Sequence, residues 1–115
     1  MEFTSALNRN SAFRRLYAKG KSTATPLLVV YERSNGSAGN RLGLTVGTKV
    51  GKAVVRNRVR RRLREIYRLH ESELVSGRDV VIVARVRARD AAYRDLERDL
   101  LAACARLKLL REETP

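Results

Sequence analysis

The segment from Lys49 to Arg68 constrains this chain most, because it combines a helical apolar pattern with an unbalanced charge. Its apolar residues recur at helical spacing and share a stripe less than a quarter-turn wide: Val55, Val59, Leu63 and Ile66. The pattern predicts a helix, here called the basic helix, that begins near Lys52 or Ala53 and ends near Leu69. Such a helix would be roughly 25 Å long, with its apolar stripe against a core.

The face of the basic helix opposite this stripe consists of arginines with almost no acid to balance them. The segment holds nine basic residues and one acid, Glu65, whereas the whole chain has 25 Lys and Arg, 12 Asp and Glu and a net charge of +13. Solvated faces normally mix signs, so this excess predicts a polyanionic partner, and the planar arginine fork suits phosphate. The opposite face carries Asn57, Arg60, Arg61, Arg64 and Arg68, while Arg56, Arg58 and Arg62 flank the stripe.

Composition excludes several other classes of protein. With 115 residues and 43% hydrophobic content, the chain suits one folded domain, 1–115. The single cysteine, Cys104, cannot form an internal disulfide, which is typical of a reducing compartment and predicts a cytoplasmic location. No apolar run approaches the ~20 residues of a membrane helix, and residues 1–10 lack a signal-peptide core.

Outside the basic helix, the sequence predicts two helices and three strands, in the overall order α-β-β-α-β-α. The predicted elements are a helix from a cap at Asn10 or Ser11 to Lys19, a strand over 27–31, a hairpin loop over 34–40, a return strand over 42–46 that can extend to 48, a strand over 79–84, and a helix capped by Asp90. An extra short strand near 21–25 is compatible with the pattern. Gly20 suits the end of the first helix.

These elements predict a single α+β domain, built as an α/β sandwich. The run Val80–Ala84 is apolar without alternation, which favours a central strand buried on both faces. The return strand, the basic helix and this buried strand together predict a crossover between parallel strands. The default hand of such a crossover is right-handed.

The sequence offers no residues for independent catalysis or metal binding. Protein nucleases generally need clustered carboxylates for metals or a histidine base, and neither pattern is present. We expect Glu65 to pair with Arg61 or Arg62, and His70 to interact with the C-terminal dipole of the basic helix. Cys104 is expected to be inert packing.

The run KVGKAVVRNRVRR, residues 49–61, strongly resembles the signature of the protein component of bacterial ribonuclease P. The resemblance extends to residues 41–46 before the run, to Arg64 and Glu65 after it, and to the strand 79–85. Phe13, Tyr17 and Gly20 fall where the family has its first-helix aromatics and glycine. Taken together, the matching segments extend the resemblance over about residues 7–107.

This resemblance implies a function, a fold and a set of contacts. The family's RNA subunit is the catalyst, while the protein binds that RNA and the 5′ leader of precursor tRNA and has no catalytic activity of its own. The implied fold is the ribosomal protein S5 domain 2-like fold, with a left-handed crossover in place of the default hand. The implied state is a monomer in a 1:1 complex with the RNA, with Mg²⁺ in the holoenzyme and no cofactor on the protein alone.

The resemblance also assigns residues to two surfaces. On this chain the implied RNA-contacting residues are Arg56, Asn57, Arg58, Arg60, Arg61, Arg64 and Arg68, with Lys49 and Lys52 beside a leader cleft lined by Phe13, Tyr17 and Tyr31. Unpaired nucleotides bind by stacking on aromatic faces in a positive groove, so the chemistry agrees. Core packing is the alternative role for these three aromatic side chains.

Three other functions remain open from the residues alone. A ribosomal or other structural RNA-binding protein could have the same charge and fold class. A DNA-binding regulator would need a helix pair with spaced base-reading side chains, which is not evident. Binding to a membrane surface would use the apolar stripe that the core needs, so we expect no membrane partner.

Overall fold

The protein, described by a computed structural model over residues 1–112, is a five-stranded mixed sheet with three α-helices. The elements are β1 (Thr4–Ala6), α1 (Asn10–Lys19), β2 (Lys21–Ala24), β3 (Leu28–Ser34), β4 (Asn40–Val46), α2 (Ala53–His70), β5 (Arg78–Ala84) and α3 (Tyr93–Arg106), with 3₁₀ turns at Thr48–Val50, Glu71–Glu73 and Val86–Asp90. The predicted α+β domain is therefore confirmed, and α2 agrees with the predicted basic helix to within one residue at each end.

The central strand is β5, as its unbroken apolar run predicts. The strand order is β1-β4-β5-β3-β2, in which β4 lies parallel to β5 and β3 lies antiparallel to it. Val81 and Ile82 have no exposed surface. The predicted parallel crossover from β4 through α2 to β5 is confirmed, and its left-handedness stays a prediction.

The predicted hairpin between the strands at 27–31 and 42–48 is wrong, because β5 lies between them. Polar groups at the ends of the connecting loop bond to the chain that enters β5. The Asn35 backbone N–H donates to the Gly77 carbonyl, and the Asn35 side-chain amide donates to the Asp79 carboxylate. The side-chain oxygen of Asn40 accepts a hydrogen bond from the Arg78 backbone N–H at 2.9 Å. The loop thus spans two strand spacings, about 10 Å, instead of closing a tight turn.

The sheet also contains the two shortest strands at its edges. The predicted extra strand near 21–25 is β2, which pairs with β3. The sequence pattern gave no sign of β1, a three-residue strand that lies parallel to β4. Contacts distant in sequence hold it: the Glu71 carboxylate accepts bonds from the backbone of Glu2 and Phe3, and Thr4 bonds the Tyr67 hydroxyl.

The two faces of the sheet are covered unequally. Both α2 and α3 pack on one face and form the main core with the inward residues of the strands. Among the described helices, α1 alone lies on the opposite face, where its Leu16 packs with Leu7 and Val81. Part of this second face therefore stays accessible beside α1.

Two predicted helix caps are wrong. The N-cap of α1 is Arg9 rather than Asn10 or Ser11, and no side chain caps it. The N-cap of α3 is Ala92, because Asp90 belongs to the preceding 3₁₀ turn. Gly20 does end α1, but in an extended conformation. An added Cβ there would lie 2.6 Å from the Leu16 carbonyl oxygen, so close approach requires the glycine.

Candidate nucleic-acid interface

Helix α2 is anchored by the predicted apolar stripe. Val59, Leu63 and Ile66 are at most 1% exposed, and Val55 packs against the same core. Tyr67, predicted at the edge of the stripe, is also buried, and this burial raises the pKa of its hydroxyl. Because one face is fixed in this way, the arginine face has a defined orientation relative to the sheet.

The predicted arginine face is exposed except for the half-buried Arg60, and the arginines that flank the apolar stripe have different surroundings. Arg56 and Arg62 are half-buried and donate to backbone oxygens of Gly51 and Ala91, so they also fasten α2 to its surroundings. Arg61 and Arg64 are exposed, and within residues 1–112 neither has an ion-pair partner. These two guanidinium groups are available to a polyanion.

Asn57 and Arg60 on this face, and Arg58 beside the apolar stripe, have distinct surroundings. The Asn57 side-chain oxygen accepts a hydrogen bond from Arg60 at 2.9 Å, so the asparagine orients a neighbouring guanidinium. Arg58 is half-buried, and its Nε atom is buried without a hydrogen-bond partner among the described residues.

Glu65 pairs with Arg68 and not with Arg61 or Arg62, so that prediction is wrong. Arg68 donates two hydrogen bonds to the Glu65 carboxylate, at 3.0 and 2.6 Å. The hydrogen bonding lowers the pKa of Glu65 and raises that of Arg68. An acid one turn N-terminal to a base is the favourable orientation on a helix. The one acid of the segment thus neutralises the last arginine and leaves the middle of the face unbalanced.

The predicted leader-cleft aromatics come together on the partly covered side of the sheet. The Phe13 and Tyr17 ring centroids are 6.3 Å apart, and Tyr31 packs edge-on against Tyr17 at 4.9 Å. Tyr17 is 42% exposed, while Phe13 and Tyr31 are half-buried. An open groove between α1 and β4, here called the aromatic groove, is lined by Asn10, Phe13, Arg14, Tyr17 and Thr45.

Sequence reasoning missed Thr45 and Arg14 as members of the aromatic groove. The Thr45 hydroxyl lies 3.1 Å from the Tyr17 hydroxyl and fixes that ring over β4. Arg14 supplies a positive charge beside the rings. Neither residue carries a local signal, because the pairing of α1 with β4 is a tertiary contact.

A second cavity, of about 410 Å³ and here called the edge cavity, lies between β1, β4, α1 and α2. Its lining is Met1, Thr4, Ser5, Ala6, Leu7, Phe13, Leu42, Gly43, Leu44, Arg60 and Arg64. Phe13 lines both concavities, so the aromatic groove and the arginine face meet at this side chain. A Cβ on Gly43 would lie 2.6 Å from the Phe13 ring, so this glycine makes room for it. A glycine inside a strand pattern is a sequence signal of such close approach.

The two lysines predicted beside the cleft lie at the start of α2. Lys49 belongs to the 3₁₀ turn Thr48–Val50 and Lys52 is the N-cap of α2, and both are exposed. Neither lysine lines the aromatic groove or the edge cavity. The basic side chains of α2 that line the edge cavity are Arg60 and Arg64.

His70 bonds two carboxylates, so the predicted dipole interaction is not its main contact. Its ring nitrogens bond Glu73 and Glu97, the latter at 2.9 Å, and these hydrogen bonds, chiefly the one to Glu97, raise the pKa of His70. The carboxylates occupy opposite sides of the ring and do not converge on one point. Over residues 1–112, no group of three or more His, Cys, Asp or Glu side chains is placed to hold a metal ion.

Cys104 is packing, as predicted. It is 3% exposed within the main core, and burial raises the pKa of its thiol to about 12. The described helices also include none that is long and apolar enough to cross a membrane.

Fold and surface together define a class of protein: a small α+β domain that presents an arginine-rich helix beside an aromatic groove. Comparisons with known proteins give the family. The model of the Ribonuclease P family matches residues 1–108. The chain is 39% identical over 110 residues to the ribonuclease P protein component of Alkaliphilus metalliredigens, covering 96% of this chain and 99% of that one. It is 44% identical over 98 residues to the component of Clostridioides difficile, covering 84% and 86%.

Solved structures agree with this family. The Staphylococcus aureus RNase P protein matches with a TM-score of 0.85 at 32% identity, covering 92% of this chain and 97% of that one. The RNase P protein from Thermotoga maritima matches with a TM-score of 0.80 at 30% identity, covering 96% and 99%. The chain belongs to the bacterial ribonuclease P protein component family.

Proposed function

We propose that this chain acts in the bacterial cytoplasm as the protein subunit of ribonuclease P. In this role it binds the catalytic RNA subunit and the single-stranded 5′ leader of precursor tRNA, and so assists removal of the leader. The observation that carries the proposal is the continuity of an exposed aromatic groove with an unbalanced arginine face, joined at Phe13. The family gives the reaction, and this surface gives the mode of binding.

The two parts of the surface suit two forms of RNA. The exposed arginines Arg61 and Arg64 suit the closely spaced phosphates of a folded RNA, since each guanidinium can bind two phosphate oxygens. The aromatic groove suits an unpaired strand, because bases stack on rings such as Tyr17 while Arg14 faces the backbone. We therefore assign the outer face of α2 to the RNA subunit and the groove to the leader, with Arg60 and Arg64 at the boundary, where they line the edge cavity and can contact either RNA.

The side chains that line the two concavities bear on the division of roles. Among residues 1–112, no aspartate, glutamate or histidine lines the aromatic groove or the edge cavity, whereas acid–base or metal-assisted cleavage needs such side chains. We propose that the RNA subunit performs the cleavage with Mg²⁺ bound to RNA, and that one protein monomer binds one RNA.

The test is a comparison of two substrates in the presence of a bacterial ribonuclease P RNA. Precursor tRNA with its leader should bind the reconstituted complex more tightly than mature tRNA, and leader cleavage at low magnesium should require the protein. Equal affinities would favour a structural RNA-binding protein instead. Cleavage of precursor tRNA by the protein without RNA would contradict the division of roles.

A further inference from the structure

The edge cavity lies where β1 stops and leaves β4 without a neighbour on one side. The pairing of β1 with β4 covers Asn40 to Leu42, and Leu7 adds one more hydrogen bond to the Leu42 carbonyl at 2.9 Å. From Gly43 to Val46, β4 still pairs with β5 on one side, but no described strand pairs with its other side. The next residue along the open edge, Leu44, lines the edge cavity.

The backbone of Leu44 presents an unused donor and acceptor to this cavity. In a strand, the N–H and C=O groups of alternate residues point to the same side. Asn40 and Leu42 bond toward β1, so Leu44 also points to that side and away from β5. Within residues 1–112, neither its N–H nor its C=O bonds any group outside the β4–β5 ladder.

The remaining walls of the edge cavity supply an aromatic ring and two positive charges. The Phe13 ring lies over Gly43, next to Leu44, and α2 contributes Arg60 and Arg64. Among the described residues, the lining contains no acidic side chain. A backbone donor and acceptor, a ring and two guanidinium groups thus surround one space.

We propose that the edge cavity is a pocket for a single unpaired nucleobase. In it, the Leu44 N–H and C=O groups bond the edge of the base, Phe13 stacks on its ring, and Arg60 and Arg64 bind the adjoining phosphate. This inference rests on the function proposed above and locates one nucleotide within it. Unpaired RNA bases are commonly recognised through such edge hydrogen bonds and stacking.

Charge and size favour a nucleotide over an added peptide strand. Ligand pockets typically measure about 300–1,000 Å³, and the edge cavity, at about 410 Å³, is at the small end of that range. Strand addition needs a longer free edge, whereas β1 already occupies this edge as far as Leu42. Arg60 and Arg64 complement a phosphate, which a peptide backbone lacks.

The experiment scans a precursor tRNA leader with one abasic nucleotide at a time, using the full chain assembled with the catalytic RNA. With the wild-type protein, an abasic nucleotide should weaken binding by about 5- to 150-fold wherever its base stacks, both in the aromatic groove and at the one leader position that fills the pocket, whose penalty is the one under test. In Leu44→Pro, which removes the outward N–H at a sheet edge, that penalty should fall to about twofold. Leu44→Val keeps the N–H and is the matched control, with the wild-type penalty.

If circular dichroism shows that Leu44→Pro is unfolded, a second variant tests the pocket. Gly43→Ala places a methyl group against the Phe13 ring, and it should also remove the position-specific penalty. The proposed pocket would be contradicted if the loss of binding were equal at all leader positions, or if both variants kept the wild-type loss at every position. If leader-bearing tRNA still binds more tightly than mature tRNA in that case, the proposed function stands and the pocket alone is wrong.

Discussion

Helices α2 and α3 lie on the same face of the sheet and are anchored alike, yet their charged faces differ. Leu63 in α2 and Leu96 in α3 both have no exposed surface. On α3 the acids are used internally: Arg98 pairs with Asp95 at 3.2 Å, and Asp99 accepts a bond from the Leu27 backbone at 3.0 Å. On α2, Arg61 and Arg64 have no such partner within residues 1–112.

The comparison teaches that anchoring alone does not identify a binding surface. Both helices have an apolar stripe that packs in the main core. What separates them is that the acids of α3 bond within the fold, whereas Arg61 and Arg64 of α2 have no ion-pair partner among the described residues. A satisfied face adds stability, whereas an unsatisfied one costs stability until a partner arrives.

The largest expected effect comes from the anchoring shared by both helices. Val59→Asp puts a carboxylate into the core under α2, where Val59 is 1% exposed. An unpaired buried charge is among the few changes that cost more than about 4 kcal/mol, so the domain should unfold. Far-UV circular dichroism measures this. A folded Val59→Asp protein would contradict the position given to the apolar stripe.

The next effect distinguishes the acids of α3. Asp99→Ala leaves the buried Leu27 N–H without its acceptor and should lower the free energy of unfolding by about 1–3 kcal/mol. RNA affinity should not change. Asp95→Ala, on the same helix but half-buried, is the control and should change stability little. Denaturant unfolding measures both, and equal losses would contradict the structural role of Asp99.

The reverse result is expected on α2. Arg64→Ala should leave the fold and stability intact, weaken binding of the catalytic RNA and make the logarithmic salt dependence less steep by about 1. Arg60→Ala should also weaken binding with the fold intact. The control is Arg94→Ala on the exposed side of α3, which removes the same charge and should change affinity little. Equal losses for Arg64→Ala and Arg94→Ala would mean that net charge alone drives binding.

The smallest effect concerns the contact that joins the two helices through His70. Hydrogen bonds to Glu97 on α3 and to Glu73 raise its folded-state pKa above the ordinary 6.5. Protonated His70 therefore stabilises the fold fully below about pH 6.5, and this contribution is lost as the pH rises through the raised pKa. His70→Gln should flatten the dependence of stability on pH in that window. An unchanged profile would show that the contact contributes nothing.

The parts of the fold that follow from short-range pattern could be predicted from sequence. The stripe of α2 and the unbroken apolar run of β5 both determine their elements locally. Strand order could not be predicted, because it depends on contacts between residues some 40 positions apart. Asn35 and Asn40 bond the start of β5 and hold it between β3 and β4. Strand β1 was missed for the same reason, since Glu71 and Tyr67 hold it.

The candidate site shows the same division. Charge imbalance identified the arginine face, and the family resemblance named Phe13, Tyr17 and Tyr31, whose rings lie together in the structure. The edge cavity could not be predicted, because it depends on where β1 stops along β4. The Glu65 partner was wrong because several arginines lie within reach, and side-chain geometry alone selects Arg68.

The salt dependence of binding tests the central claim most directly, namely that the unsatisfied arginine face of α2 binds RNA phosphates. If five or six phosphates are neutralised, a plot of log affinity for the catalytic RNA against log salt concentration should have a slope of about −4 to −5. Arg64→Ala should make that slope shallower, and Arg94→Ala should not. A wild-type slope near −1 would contradict the account, because it would show that α2 is not the contact surface.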